Sequence, residues 1–303
     1  MNLTFKICWI EDQSDEMQKH SIEEAVQNSG FEPELKLVRT EEEIEQFARQ
    51  QENYYDFSLV LLDLNLGNNL RGDELALNVR NSFRSTPILF YSAQEVQYLR
   101  KLISDKQIEG VFCAHRENLK RRVEELILDL TPLLNQLTGM RGLAASIVAE
   151  CDKEFRIIIR HIGEERNLKE SVIKAINTEF EKRKNVDISK IKDLNKLLNH
   201  SAISSRMLFR VACNLIGEDE NNLQTEDIRT IRLAIERYNE HVLEIRNKLA
   251  HVPEERTDNG WVIPRRRPNR DLTVQDFKEY RADLRWYLTH IRQLRGHLMY
   301  RYS

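Results

Sequence analysis

Short apolar runs alternate with longer amphipathic segments from the start of the chain through residue 130. Five runs have the length and composition of buried strands: FKICWI (5–10), ELKLV (34–38), FSLVLLDL (57–64), PILFYS (87–92) and EGVFCA (109–114). The segments between them carry apolar residues at helical spacing, and Thr40 with Glu43 predicts a capping box at one helix start. Single helices between buried strands are typical of parallel sheets. We therefore predict an α/β doubly wound, five-stranded parallel sheet.

Beyond residue 117 the apolar positions follow a helical period, and one short strand-like run, WVI, occurs at 261–263. Glycine and proline residues divide this part of the chain into segments. Helices are predicted at 117–130, 132–160, 167–184, 187–199, 204–216, 225–251 and 273–299. The predicted organisation is an α/β domain at 1–130, a helical connector at 131–140 and an all-α helical bundle at 141–303.

Composition agrees with two globular domains in a chain of 303 residues, of which 41% are hydrophobic and 31% charged. No apolar run approaches the roughly 20 residues that a membrane helix needs. The four cysteines lack the spacing of zinc or redox sites. We therefore expect a cytoplasmic protein with no membrane partner. Residues 1–120 carry 13 basic and 21 acidic residues and the remainder carries 33 and 28, an excess too small to indicate nucleic-acid binding by itself.

Polar residues follow three of the predicted strands. Glu11 and Asp12 come after the first strand, Asp63 ends the third, and Ser92 ends the fourth. Ligands of doubly wound sheets bind outside the carboxyl ends of the strands. Three carboxylates at one edge repel each other unless a cation lies among them, and Mg²⁺ prefers such oxygen donors. With the ion in place, a carboxylate can attack a phosphoryl donor while a serine hydroxyl donates to a phosphoryl oxygen.

This α/β domain resembles the flavodoxin-like receiver domain of two-component response regulators, because the acidic pair, the aspartate and the Ser-Ala pair occur in that family's order. The resemblance implies that Asp63 is the phosphoacceptor and Ser92 the switch hydroxyl. It also implies a Mg²⁺ site formed by Glu11, Asp12, Asp63 and the backbone carbonyl of Asn65, with Asp12 the more direct ligand of the acidic pair. A sensor histidine kinase or another phosphoryl donor would be the partner. The alternative is an unrelated α/β domain with polar strand ends.

Two features depart from the receiver pattern. Receivers usually carry a lysine just after the fifth strand, where GVFCAHRENLK instead offers His115 or Arg116 to pair with a phosphoryl group. A guanidinium pairs with phosphate in a different geometry from an ammonium. The loop DLNLGNNLRG, which follows the third strand, has Gly67 where a proline is common. We expect these changes to affect how efficiently the domain is phosphorylated.

In the second part, the run EIRNKLAHVPEE ends a predicted helix. Pro253 disfavours helical geometry at the residue before it, so the helix should end near His251, where the helix dipole favours an imidazolium. Five residues advance a continuous helix by about 140° beyond a full turn. Arg246 and His251 therefore converge only if the helix ends or distorts between them. Glu240 and Glu244 are candidate ion-pair partners of Arg246.

The spacing Arg-x4-His is weak evidence by itself, because it occurs four times, at 156/161, 246/251, 285/290 and 292/297. The run RNKLAH within an all-helical domain nevertheless resembles the HEPN family (higher eukaryotes and prokaryotes nucleotide-binding), whose ribonuclease members carry an Arg-polar-x3-His motif. The resemblance implies a homodimer that cuts RNA, with His251 as general acid or base, Arg246 stabilising charge on the scissile phosphate and Asn247 orienting them. RNA supplies its own 2′-hydroxyl nucleophile, so this site needs no metal.

Three alternatives stay open for the second part. The stretch PRRRPNR supplies four candidate RNA-phosphate contacts or is an ordinary solvated loop; its arginines are Arg265, Arg266, Arg267 and Arg270. The helical domain is either an endoribonuclease or a non-catalytic signalling adaptor that dimerises or binds a nucleotide or protein partner. A DNA-binding transcriptional output is a third hypothesis, disfavoured because the helices look too long for a helix-turn-helix.

Overall fold

The computed structural model describes residues 3–13, 15–54, 56–66, 71–164, 168–181, 191, 193–218, 226–258, 260–264 and 271–299. The chain forms two compact units, which divide after Pro132. We call the part up to Pro132 the α/β unit and the part from Leu133 onward the helical unit. Within the described residues, no helix combines the length and the apolar character needed to cross a lipid bilayer.

The α/β unit contains five strands and five helices in its described residues. The strands are β1 (Thr4–Ile10), β2 (Glu32–Val38), β3 (Leu59–Asp63), β4 (Ile88–Ser92) and β5 (Val111–His115). The helices are α1 (Glu16–Asn28), α2 (Glu41–Tyr54), α3 (Gly72–Ser82), α4 (Val96–Asp105) and α5 (Leu119–Leu130). The strands pair in parallel in the order β2-β1-β3-β4-β5. This is the flavodoxin-like order, in which the direction of winding along the sheet reverses between β1 and β3 while all strands stay parallel.

Strands β3 and β4 are buried at every position because helices cover both faces of the sheet. This burial explains why LVLLD and ILFYS are almost continuously apolar and do not alternate. The predicted five-stranded parallel sheet is confirmed. The predicted capping box is also confirmed: the Glu43 amide donates to the Thr40 hydroxyl over 3.3 Å, and the Thr40 amide donates to the Glu43 carboxylate over 3.4 Å.

A 3-10 turn at Pro132–Asn135 precedes the helices of the helical unit. Its helices are α6 (Leu137–Glu164), α7 (Lys169–Glu181), α8 (Leu194–Leu198), α9 (Ser205–Glu218), α10 (Glu226–Ala234), α11 (Glu244–His251) and α12 (Val274–Met299). Helix α6 has 28 residues and packs against α7, α9, α11 and α12, so it is the central element of the unit. The prediction of a mostly helical second part is confirmed.

Aromatic side chains join these helices. Phe155 of α6, Phe209 of α9 and Tyr238 form a cluster whose ring centroids lie 5.2 to 5.8 Å apart. Tyr287 of α12 packs on Tyr238 at 5.7 Å. Offset and edge-on ring pairs at this spacing stabilise a core beyond the area that they bury. The cluster therefore fixes the helices around α6.

Three predictions about this part need correction. The helix predicted at 225–251 is interrupted by a 3-10 turn and by a π-helical segment at Asn239–Leu243. The helix predicted at 187–199 is present as the short α8, while 187–190 and 192 lie outside the described residues. The strand predicted at 261–263 is confirmed as β7 (Gly260–Ile263), but its partners β6 (Glu255–Thr257) and β8 (Leu272–Thr273) were missed. β6 consists of three exposed polar residues, so it has no apolar pattern.

Two glycines of α6 provide a matched test of the packing at the start of the helical unit. A Cβ added at Gly139 would lie 1.9 Å from the backbone oxygen of Leu133, whereas one added at Gly142 would meet no atom within 4 Å. We expect Gly142→Ala to raise the free energy of unfolding by about 0.5–1 kcal/mol through helix propensity. Gly139→Ala should lower it by about 1–3 kcal/mol through overpacking. Urea unfolding followed by circular dichroism measures both, and equal effects would contradict the close approach.

Candidate functional site

The carboxyl ends of adjacent strands bring three predicted polar residues to one edge of the sheet. Glu11, Asp63 and Ser92 follow or end β1, β3 and β4, and each is at most 1% exposed. Asp12 is half-buried. Parallel neighbours end at the same edge, so this placement follows directly from the strand order.

Arg116 provides the positive charge at this edge. It begins the 3-10 turn after β5, and its guanidinium donates to Asp63 Oδ2 and lies 3.5 Å from Glu11 Oε2. The same group donates to Gln18 Oε1 over 3.3 Å and lies 5.3 Å from the centroid of the Tyr91 ring. One arginine therefore contacts both buried carboxylates, and its own side chain is 35% exposed.

His115, the other candidate for phosphoryl pairing, is directed elsewhere. Its Nε2 lies 3.0 Å from the backbone oxygen of Ala93, and its Nδ1 accepts from the amide of Glu117 over 3.4 Å. His115 therefore fixes the turn after β5, and Arg116 is the residue that contacts Asp63. The two residues were not distinguishable from the sequence, because the end of β5 was not known to within one residue.

A chain of buried hydrogen bonds leads inward from Glu11. The Tyr91 hydroxyl donates to Glu11 Oε2 over 2.7 Å, and Trp9 Nε1 donates to the Tyr91 oxygen over 2.7 Å. Sequence reasoning missed both aromatic residues. The available signal was that tryptophan and tyrosine in buried strands need a partner for their polar atoms.

Burial raises the pKa of both carboxyl groups in this pocket above their ordinary values. For Glu11 the Tyr91 hydrogen bond opposes the shift and the nearby Asp63 charge adds to it. For Asp63 the Arg116 guanidinium opposes the effect of burial on the pKa. The carboxylates are thus held against an unfavourable environment by hydrogen bonds and by one cation.

The predicted three-carboxylate cluster is not assembled. In the part of the chain that the structure describes, no group of three or more His, Cys, Asp or Glu side chains is placed to hold a metal ion. Glu11 instead accepts a hydrogen bond from Tyr91 and lies against Arg116. Asp63 Oδ1, however, is buried without a hydrogen-bond partner among the described residues. Because Mg²⁺ is commonly held by one or two carboxylates plus waters, Asp63 fits a divalent ion in this smaller donor set.

The loop after Asp63 is held by close backbone contacts. Asn65 forms an isolated antiparallel bridge with Arg71, and the Gly72 amide donates to the Leu64 oxygen over 2.7 Å. A Cβ at Gly72 would lie 1.9 Å from the backbone oxygen of Asp63, so only glycine allows this approach. Gly67 lies outside the described residues.

The serine of the site is also fixed locally. Ser92 is fully buried, and its hydroxyl accepts from the amide of Gln94 over 3.3 Å. The backbone of the preceding residue, Tyr91, accepts from the amide of Leu64 over 3.0 Å and so ties the end of β4 to the loop after Asp63.

The solved structures that are similar to this chain include response regulators, and the three described here each cover 41 or 42% of it. The phosphorylated cyanobacterial phytochrome response regulator RcpA is 23% identical over 41% of this chain and 92% of its own, with a TM-score of 0.33. A CheY-like receiver domain protein from Methanospirillum hungatei is 13% identical over 42% and 96%, with a TM-score of 0.30. A Burkholderia pseudomallei response regulator, solved with a phosphorylated aspartic acid, calcium and citrate, is 14% identical over 42% and 73%, with a TM-score of 0.29.

Neither a protein-family model nor a curated protein matches the chain. The strand order and the helices on both faces of the sheet define the fold of the α/β unit. The α/β unit has the flavodoxin-like, doubly wound fold.

In the helical unit, α11 ends at His251 and Val252 is extended, at φ −100° and ψ 124°, as Pro253 predicts. The last carbonyls of this helix are bound by a residue that the sequence did not single out. The Arg141 guanidinium donates to the backbone oxygen of Leu249 and, over 2.9 Å, to that of Val252. Arg141 therefore takes the role at the helix end that was expected for His251, whose side chain is exposed.

Arg246 is directed into its own unit. Its guanidinium donates to Ser205 Oγ of α9 over 3.5 Å, while Asn247 is exposed. Helix α11 is continuous from Glu244 to His251, so the distortion needed to bring Arg246 and His251 together does not occur between them. The π-helical segment Asn239–Leu243 lies just before Arg246 instead.

The predicted ion pairs of Arg246 are wrong. Glu240 pairs with Arg237 at 3.1 Å, and Glu244 accepts from the Asn239 side-chain amide over 3.2 Å. The four arginines of the basic stretch, Arg265, Arg266, Arg267 and Arg270, lie outside the described residues.

The competing pair Arg156 and His161 serves packing. Arg156 Nε donates to the backbone oxygen of Leu198 over 3.1 Å, and His161 Nε2 lies 3.2 Å from that of Leu298. Both side chains thus connect α6 to neighbouring elements of the helical unit. His251 and His297, from the pairs 246/251 and 292/297, are in contrast exposed in the last turns of α11 and α12.

Replacing Arg116 tests how strongly its positive charge stabilises the buried carboxylates of Glu11 and Asp63. Arg116→Gln should lower the free energy of unfolding of the α/β unit by about 2–4 kcal/mol, because a buried charge loses its partner. Arg121→Gln is the control: Arg121 forms an exposed pair with Glu125 at 2.8 Å, which is worth at most about 0.5 kcal/mol.

Urea unfolding, combined with hydrogen exchange of peptides from β1 and β3, measures the effect in the α/β unit alone. Equal losses for the two variants would show that Arg116 is an ordinary surface arginine.

Proposed function

We propose that this protein is a two-component response regulator in which residues 1–130 are a receiver and residues 141–303 an effector. Asp63 accepts a phosphoryl group from a sensor histidine kinase or another phosphoryl donor, and its phosphorylation state controls the helical part. The observation that carries this proposal is the arrangement of Asp63, Glu11 and Arg116 at the carboxyl edge of the sheet, with Ser92 on the adjacent strand.

In the proposed reaction, one carboxylate oxygen of Asp63 attacks the phosphorus atom of the donor. A new O–P bond forms, the P–O or P–N bond to the leaving group breaks, and that group departs with the electron pair. Asp63 becomes an acyl phosphate. Arg116, which contacts the carboxylate beforehand, moves its charge to the phosphoryl oxygens, and the Ser92 hydroxyl donates to one of them.

A divalent ion such as Mg²⁺ would be held by the carboxylates of Asp63 and Asp12 and by the Asn65 carbonyl, with Glu11 nearby. When bound, it would supply positive charge against the phosphoryl oxygens. Arg116 supplies part of that charge from the chain itself. An arginine in place of the usual receiver lysine therefore changes the geometry of the contact with the phosphoryl group, while the charge at that position stays positive.

Phosphorylation can be tested with a small acyl phosphate and Mg²⁺. We expect intact-mass measurement to show one added phosphoryl group, and peptide mapping to locate it on Asp63. Asp63→Asn should abolish the increment because the amide is not a nucleophile. Asp56→Asn removes a half-buried carboxylate that pairs with Lys6 and should leave labelling unchanged. Labelling that persists in Asp63→Asn would overturn the assignment of the phosphoacceptor.

For the helical part we propose a metal-independent endoribonuclease of the HEPN type that works as a homodimer. His251 would transfer a proton at the ribose 2′-hydroxyl or the leaving oxygen, and Arg246 would stabilise charge on the scissile phosphate, with Asn247 orienting one or both of them. Two observations support this. His251 is exposed at the last turn of its helix, and the preceding π-helical segment is a distortion of the kind that is frequent at functional sites.

Cleavage of a labelled single-stranded RNA in EDTA tests this activity. His251→Ala should reduce the rate at least a hundredfold, because general acid–base catalysis contributes about 10²–10⁴-fold. His297→Ala changes another exposed histidine of the helical unit and should have no effect. If both variants cleave like the wild type, His251 is not the catalytic residue.

A second candidate function is a signalling adaptor without catalysis. One observation favours it: α11 is continuous, so it does not bring Arg246 and His251 together. The adaptor would cleave no RNA with or without a phosphoryl donor. It would instead change its oligomeric state on phosphorylation of Asp63, which sedimentation measures directly.

A further inference from the structure

Three helices of the helical unit bring polar side chains together in its interior. Asp152 comes from α6, Ser205 from α9 and Arg246 from α11. Their positions in the sequence are 53 and 41 residues apart, so no local pattern joins them. We call these three residues the α6–α9–α11 cluster.

The serine bridges the two charged residues of the cluster. Ser205 Oγ donates to Asp152 Oδ2 over 2.8 Å and accepts from Arg246 Nη2 over 3.5 Å. A hydroxyl has one proton to donate and lone pairs to accept, so this order uses it in both directions. The carboxylate therefore acts on the guanidinium through the serine.

The remaining polar atoms strengthen this interpretation. Asp152 Oδ1 and Arg246 Nε are both buried without hydrogen-bond partners among the described residues. The Ser205 bridge is thus what fixes the polar ends of both side chains in that part of the chain. Burial raises the pKa of Asp152, while the Ser205 hydrogen bond and the charges of Arg156 and Arg246 oppose the shift.

The backbone next to Arg246 is set by a separate contact. The Tyr280 hydroxyl of α12 donates to the backbone oxygen of Val242 over 3.0 Å. Val242 lies in the π-helical segment, where the Glu244 amide bonds five residues back to Asn239. Compared with the same residues in a regular α-helix, the wider π-turn rotates the helix that follows it. The π-turn therefore determines which side of α11 faces α9.

We infer that Asp152 and Ser205 are positioning residues, which hold the Arg246 guanidinium in one orientation for an anionic phosphodiester. The inference rests on the proposed ribonuclease function, in which Arg246 touches the substrate and the other two residues act through it. A hydrogen-bonded arginine presents its free N–H groups in a fixed direction, and such preorganised charge costs no reorganisation when the reaction occurs.

The first experiment needs no activity. We expect Asp152→Asn and Arg246→Gln to be coupled in urea unfolding of the full chain, by about tenfold in the folding equilibrium constant. Repeating the cycle in a Ser205→Ala background should reduce the coupling by at least half, because the bridge is gone and only the attraction between the two charges remains. Ser204, not Ser205, caps α9 by accepting from the Met207 amide, so Ser205→Ala should leave that helix folded. Coupling that is undiminished without the hydroxyl, or is absent with it, overturns the inference.

The second experiment measures RNA cleavage. Ser205→Ala and Asp152→Asn should each lower kcat about tenfold with KM nearly unchanged, the signature of a group that acts in the transition state. Ser205→Thr, which keeps the hydroxyl, should restore most of the rate. The matched controls are Glu150→Gln, an exposed α6 carboxylate paired with Arg292, and Ser171→Ala, an exposed serine of α7. Both should behave like the wild type.

The two experiments distinguish the ribonuclease proposal from the positioning role of Asp152 and Ser205. A wild-type protein that cleaves no RNA overturns the ribonuclease proposal, while the coupling measurement still decides whether Asp152 and Ser205 hold Arg246. Cleavage that is unaffected by Ser205→Ala, or restored no better by threonine than by alanine, overturns the positioning role even if His251 proves catalytic.

Discussion

Two carboxylates buried side by side repel each other and lose their hydration, and the α/β unit depends on how this cost is met. Glu11 and Asp63 are brought together by the strand order, and a guanidinium that follows β5 contacts both. Tyr91 supplies a further donor to Glu11. Because the compensating cation belongs to the chain, the pocket combines a stable fold with one Asp63 oxygen, Oδ1, that has no hydrogen-bond partner among the described residues.

The sheet could be predicted from the sequence because each of its strands is recognised from a short run of neighbouring residues. Buried strands are continuous apolar runs, and the rule that ligands lie at the carboxyl ends of parallel strands located Glu11, Asp63 and Ser92 without any coordinates. The choice between His115 and Arg116 was not predictable. Adjacent residues at the end of a strand point to opposite sides, so an error of one residue exchanges them.

The contacts that decide the chemistry of the helical unit are distant in sequence. Arg141 binds carbonyls 108 and 111 residues away, and Ser205 joins residues from two other helices. Periodicity predicts where helices occur and which face is apolar, but it carries no information about which polar side chains meet across a bundle. The break before Arg246 was missed for a related reason: Tyr280, which binds the Val242 carbonyl, comes from α12.

The π-helical segment Asn239–Leu243 also determines how the helical unit would respond to the loss of one residue. A π-turn contains one residue more than an α-turn, so a one-residue deletion there can restore regular hydrogen bonding without damage to the helix. The wider turn absorbs its extra residue, so the helix beyond would keep nearly the same rotation about its axis, and Arg246 would stay on Ser205. A deletion of Glu244 or Ile245, in the regular turn of α11, would instead rotate Arg246 by about 100°. The π-helical segment is thus a place where the helical unit can lose one residue and keep the guanidinium on its serine.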